Sequence, residues 1–167
     1  MAKTVQFKTN HSIAEIAYLA GIVDGEGCFY IGRVKQGKYG NGYQWHTLLK
    51  VTSCDVELII WLEQIFGGHK DSRYRWTSKK AFTRPVYNWQ ATGPMLDYIL
   101  PLIQPYLIIK SEQCAIMKVY RTTCKNIGSK RLSEDVITQR NVCLFMMRKA
   151  NSRFHNHALK NPSPLSP

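Results

Sequence analysis

Residues 19–27 read LAGIVDGEG, an apolar run that ends in two carboxylates, Asp24 and Glu26, interleaved with glycines. A carboxylate at a helix C-terminus meets the negative end of the macrodipole. Two of them there call for compensation, either from a cation or from hydrogen bonds offered by the N-terminus of a neighbouring helix. Mg²⁺ is bound through one or two carboxylates together with phosphate oxygens. An acid in this position could therefore support metal-assisted attack of water on a phosphodiester. Ala14, Ala17, Gly21 and Gly25 fall within about a quarter turn of one another at roughly 100° per residue. Such a stripe of small residues lets a second helix approach backbone to backbone. A copy of the same helix across a two-fold axis would bring two acids together.

The elements that must position these residues can be read in order. Ser12-Ile13-Ala14-Glu15 is a capping box, which starts a helix expected over 13–24. Strands are expected at 28–35, 43–52, 69–76 and 85–92, with turn-rich links between them. Residues 55–66 read as an amphipathic helix stopped by Gly67-Gly68. Pro94 suits the first turn of a helix over 94–103, and further helices are expected at 111–125 and 133–149. The order α-β-β-α-β-β-α implies an α+β domain over 1–150: a four-stranded antiparallel sheet with helices on one face. Residues 151–167 are expected to be a disordered tail.

The 167 residues carry 23 basic against 11 acidic side chains, a net charge of +12. That excess favours a polyanion partner, with nucleic acid ahead of a membrane surface. No apolar stretch approaches the roughly 20 residues of a membrane span. Five cysteines without CxxC spacing read as free thiols, small core residues in an intracellular setting. In the second strand Gln44, His46 and Lys50 share one parity and Trp45, Leu49 and Val51 the other. Arg73 and Arg75 in the third strand, and Asn88 and Gln90 in the fourth, likewise oppose aromatic neighbours. Period-two alternation puts the polar set on one face. Arg with guanine edges, and Asn or Gln with adenine edges, are pairings that a two-stranded ribbon makes in a major groove. With Arg33, Lys35 and Arg84 these are the candidate DNA contacts. The first strand is less regular: Tyr30, Gly32 and Val34 alternate with Arg33 and Lys35, which allows a bulge.

LAGIVDGEG resembles the signature nonapeptide of the LAGLIDADG homing endonucleases, and the α-β-β-α-β-β-α order is similar to that family's saddle-shaped fold. The resemblance implies a site-specific endonuclease that uses Mg²⁺, with Mn²⁺ able to substitute, to cut both strands of double-stranded DNA. It makes Glu26 the metal-binding catalytic acid, with the Gly25 carbonyl a further ligand. Asp24 becomes the acid that caps the partner's motif helix. Lys110, closing the segment PYLIIK, becomes the lysine near the scissile phosphate. Ser53 stands where relatives often carry a glutamine that contacts the active-site water, and Glu57 where they often carry a base. One motif copy implies a homodimer paired through Ala17, Gly21, Asp24 and Gly25, acting on a long pseudo-palindromic target. An organelle (chloroplast or mitochondrion) or a prokaryotic cytoplasm would suit such a protein.

A catalytically silent intron maturase, or a DNA- or RNA-binding protein on the same fold, is the rival expectation. The Ser53 and Glu57 departures favour it, and the intact Glu26 opposes it. His155-Asn156-His157 spells HNH, but three adjacent letters near the C-terminus lack the dispersed ligands that such a metal unit needs.

Overall fold

The computed structural model describes residues 10–35, 43–71, 85–124 and 132–160, without the side chains of 70, 71 and 153–160. In order, the elements are α1 (Ile13–Glu26), β1 (Gly27–Lys35), β2 (Tyr43–Ser53), α2 (Val56–Phe66), β3 (His69–Asp71) and β4 (Tyr87–Thr92). They are followed by α3 (Pro94–Ile103), a 3-10 turn (Gln104–Tyr106), α4 (Ser111–Thr122) and α5 (Glu134–Lys160). The strand order is β1-β2-β4-β3. Antiparallel registers run β2–β4 and β3–β4, pairing Val51 with Trp89 and Lys50 with Gln90. The chain divides into two compact units, one of residues 1–30 and 47–111, the other of 31–46 and 112–167.

In the first unit local chemistry sets the element ends. The capping box forms: Ser12 Oγ accepts from the Glu15 amide at 3.2 Å, and the Glu15 carboxylate accepts from the Ser12 amide at 2.7 Å. Asp55 caps α2 by accepting from the Glu57 amide. After Phe66 the chain leaves the helix through Gly67 and Gly68, at φ 74° and 99°. A side chain on Gly68 would also lie 2.8 Å from the Gln90 carbonyl and from the Trp89 indole nitrogen, so only glycine fits. That close approach lets the Trp89 indole N–H donate to the Gly67 carbonyl at 2.7 Å. The expected alternation is present. Leu49, Val51, Trp89 and Ala91 are fully buried, and α2 and α3 pack on β4. Each large apolar side chain so buried contributes about 1.5–3 kcal/mol.

The second unit joins the outer ends of β1 and β2 to α4 and α5. Buried Cys114, Met117 and Tyr120 of α4 and Arg140, Cys143, Leu144 and Met147 of α5 form its interior. Helix α5 runs past residue 150 to Lys160, so 151–160 of the expected tail are helical, while 161–167 lie outside the described residues. Residues 151–160 contain no glycine or proline, and the first proline is Pro162, so nothing stops the helix earlier. The cysteine expectation also needs correction. All five are free, but only Cys114 and Cys143 are buried, while Cys28 and Cys54 are exposed. Among the described residues no helix is long and apolar enough to cross a membrane.

Candidate active site and nucleic-acid face

The end of α1 is compensated in both of the ways its two acids demand. The Asp24 carboxylate accepts three consecutive backbone N–H groups, from Ile108 (2.7 Å), Ile109 (3.2 Å) and Lys110 (2.9 Å). These amides lie in the turn that leads into α4, where backbone donors have no helical partner. In return, the Lys110 ammonium donates to the carbonyls of Val23 (2.9 Å) and Asp24 (2.7 Å). Those carbonyls belong to the last turn of α1, where Val23 also accepts the Gly27 amide, and a cation there opposes the dipole. The two strands of the clasp are reciprocal: one carboxylate holds a run of amides, and one ammonium holds a pair of carbonyls.

Burial pushes the Lys110 ammonium below the ordinary lysine range, while the negative charges of Asp24, Cys28 and Glu26 pull it back up. Glu26 is therefore close enough to be felt by the lysine, yet its own side chain is exposed. Gly27, directly after it, is buried and cramped: a Cβ there would sit 2.6 Å from the Val23 carbonyl oxygen. The chain can turn from helix into strand next to Glu26 only because that position carries no side chain. Gly21 and Gly25 are different, since a Cβ on either meets nothing within 4 Å. With Ala14 and Ala17 they form an exposed stripe, joined on α1 by Ile13 (71 % exposed) and Tyr18 (56 %).

Among the described residues, no group of three or more His, Cys, Asp or Glu is placed to hold a metal ion. The chain does offer a partial donor set: the exposed Glu26 carboxylate, and the Gly25 carbonyl in the last helical turn. That fits a hard cation such as Mg²⁺, which takes few protein ligands and completes its shell with water and phosphate oxygens.

Ser53 closes β2, and its hydroxyl accepts from the Asp55 amide at 3.0 Å, so it shapes the turn into α2. On the polar face of β2 and β4, Lys50 stands opposite Gln90 and Thr52 opposite Asn88. The Thr52 hydroxyl donates to the Asn88 side-chain oxygen at 2.8 Å. His69 aligns with Gln90 from the other side, adding a polar residue whose sequence parity is that of Arg73 and Arg75. Thr52 was missed for a simpler reason: its part is to orient a neighbour. In the second unit Gln44, His46 and Lys35 are exposed. Arg73, Arg75 and Arg84 lie outside the described residues.

Arg33, one of the expected DNA contacts, is exposed and has partners within its own chain. Burial alternates from Gly27 to Ile31, then slips, with Ile31 and Gly32 both buried. The Arg33 guanidinium lies 4.6 Å from the Tyr43 ring centroid and 5.8 Å from that of Trp45. It also donates to the Asn141 side-chain oxygen at 2.7 Å. Asp24 too has work inside its own chain, with both carboxylate oxygens engaged by residues 108–110.

No protein-family model and no curated protein matches the chain. Solved structures do. The homing endonuclease I-CvuI, crystallised with a DNA target, is 19 % identical with a TM-score of 0.67, the match covering 82 % of both chains. The homing endonuclease I-TnaI is 15 % identical with a TM-score of 0.63, covering 83 % of this chain and 96 % of the other. The LAGLIDADG meganuclease I-CpaMI, bound to uncleaved DNA, is 19 % identical with a TM-score of 0.58; the match covers 73 % of this chain and 41 % of that one. The chain has the fold of the LAGLIDADG homing endonucleases.

Proposed function

We propose that this protein is a site-specific DNA endonuclease that hydrolyses phosphodiester bonds with the help of a divalent cation, Mg²⁺ first and Mn²⁺ as a substitute. The observation that carries this reading is the clasped end of α1, which holds Glu26 exposed at a braced helix terminus in a fold shared with homing endonucleases. The Glu26 carboxylate and the Gly25 carbonyl would hold the cation. When bound, it supplies a Lewis acid at the phosphate and an activated water. Lys110 supplies fixed positive charge where the phosphoryl group gains negative charge, a role that preorganisation makes effective. Water adds to phosphorus, the bond to the leaving sugar oxygen breaks, and that oxygen takes up a proton. Lys50, Asn88 and Gln90, with Gln44, His46 and Lys35, offer phosphate and base contacts on the polar side of an antiparallel, four-stranded saddle. Arg73, Arg75 and Arg84 would extend that set.

The exposed stripe Ala17, Gly21 and Gly25, with Ile13 and Tyr18, supports a homodimer paired through α1. Asp24 would then sit at its edge, and the target would be long and pseudo-palindromic. Replacing Gly21 with leucine should convert the dimer to monomer in analytical ultracentrifugation; a dimer that survives this change is paired elsewhere.

A supercoiled plasmid library of candidate targets tests the activity. Cutting is expected with Mg²⁺ or Mn²⁺ and not with Ca²⁺. Glu26→Gln should lower it by about 10²–10³-fold, the scale of losing one preorganised group at a reacting centre. A library left intact with either metal would remove the endonuclease reading. Selective binding without cutting would instead favour the silent maturase or DNA-binding reading, which the engagement of the Ser53 hydroxyl in a turn supports.

A further inference from the structure

In the second unit two guanidinium groups converge on one indole. Arg33 lies 5.8 Å from the Trp45 ring centroid and Arg140 5.9 Å from it. Arg33 also covers Tyr43 at 4.6 Å, and Arg140 covers Tyr120 at 5.4 Å. Tyr120 in turn packs 6.1 Å from Trp45. The result is a ladder of alternating cations and rings: Tyr43, Arg33, Trp45, Arg140, Tyr120. Two like charges on one ring repel each other, so each must be held from outside. Asn141 holds Arg33, and the hydroxyl and carbonyl of Thr123 hold Arg140 at 3.0 and 2.9 Å. Arg140 is only 7 % exposed, and Tyr120 1 %.

Trp45 lies between Gln44 and His46 on β2, and both neighbours are exposed. On a strand, fixing one side chain toward the helices fixes its two neighbours toward the opposite face. We propose that the ladder aims Gln44 and His46 at DNA, making Trp45, Arg33 and Arg140 positioning residues for base recognition. This rests on the reading of the protein as a DNA endonuclease. It assigns α5, through Arg140 and Asn141, a part in target selection although neither residue meets a base. It also gives Arg33 a task other than the phosphate or base contact that its charge suggests.

The probe is a set of duplexes enriched by the wild-type chain from a randomised library, followed by single-base-pair changes in the enriched site. Gln44→Ala and His46→Ala identify the base pairs that those residues read. Trp45→Leu is expected to flatten discrimination at those same pairs by roughly tenfold, the scale of one base contact. Discrimination elsewhere in the site should persist, and Trp45→Phe, which keeps a ring for both cations, should restore most of the loss. Arg140 is buried and its replacement could unfold the chain, so the exposed Arg33 supplies the second variant. Arg33→Met should flatten the same base pairs with no change in the salt dependence of binding. Uniform weakening over all sequences, with the salt slope reduced by about one, would mean that Arg33 touches phosphate and would overturn the proposal. So would unchanged discrimination in Trp45→Leu. Enrichment of no sequence by the wild type would defeat the DNA reading itself. Hydrogen exchange in the free chain separates that failure from this one. The amides of residues 44–46 should exchange at least about tenfold faster in Trp45→Leu, and equal rates would show that the ladder positions nothing.

Discussion

Among the described residues, helices α1 and α4 both end against a cation, and the two cations differ in kind. Helix α1 ends under the Lys110 ammonium, which bonds the carbonyls of Val23 and Asp24. Helix α4 ends under the Arg140 guanidinium, which bonds the hydroxyl and carbonyl of Thr123. Both satisfy polar groups at a C-terminus and oppose its dipole. The lysine is half-buried beside acids, and burial lowers its proton affinity. The arginine is buried among rings and keeps its charge at every pH of interest. Where the chain needs only a brace it uses a cation that does not titrate. Where the reaction is proposed to occur, it uses one that can.

This contrast can be broken by substitution, beginning with the largest effect. Lys110→Met should lower cleavage by about a hundredfold or more, at saturating DNA, as expected for removal of a preorganised charge. Its urea midpoint should move little by comparison; a midpoint that collapses with the activity would make Lys110 a brace like Arg140. Arg140→Met should reverse that emphasis. It leaves the Thr123 carbonyl and hydroxyl buried without their donor, a loss of about 1–3 kcal/mol, read from chemical unfolding. A smaller effect tests the titration itself. The folded-state affinity of Lys110 for its proton lies below the unfolded value, so the unfolded chain binds more protons between the two. Stability should therefore rise with pH through the window just below the ordinary lysine range, and the cost of the buried charge is carried in full below it. Lys110→Met should abolish that rise, and cleavage by the wild type should fall on its alkaline side through the same window. Smallest of all, Gly21→Ala should stabilise the monomer by about 1 kcal/mol through helix propensity, since its Cβ meets nothing. A loss of stability that depends on protein concentration would place a second copy against that face.

Much of the frame could be read along the chain because it is local. Ser12 and Glu15 announce the start of α1, Gly67-Gly68 the end of α2, and Pro94 the start of α3, each through bonds or backbone limits within a few residues. The Leu49–Val51 and Trp89–Ala91 alternation fixed the buried side of the sheet for the same reason. The need for compensation at Asp24 was also visible, and both forms of it are present. What supplies it was not, since the amides of 108–110 come from a turn 84 to 86 residues away. Lys110 came into view through resemblance alone. Arg33 is exposed, as its charge implies, and the irregular alternation of its strand already allows the slip at Ile31–Gly32; what sequence does not show is that its guanidinium is held by Tyr43, Trp45 and Asn141. Helix α5 outruns its expected end because the proline- and serine-rich stretch begins only near Pro162, and the polar residues before it, without glycine or proline, continue a helix readily.

The clasp between Asp24 and Lys110 also sets a clock. Its two halves are separated by 86 residues of chain, most of them spent on the sheet and on α2 and α3. Contacts of such long sequence separation form late, after the loop between them has been ordered. During synthesis the segment bearing Glu26 emerges well before the lysine that braces it. A growing chain can thus fold its sheet before the end of α1 is clasped, and under the proposed function competence to break DNA would arrive only with the turn that opens α4.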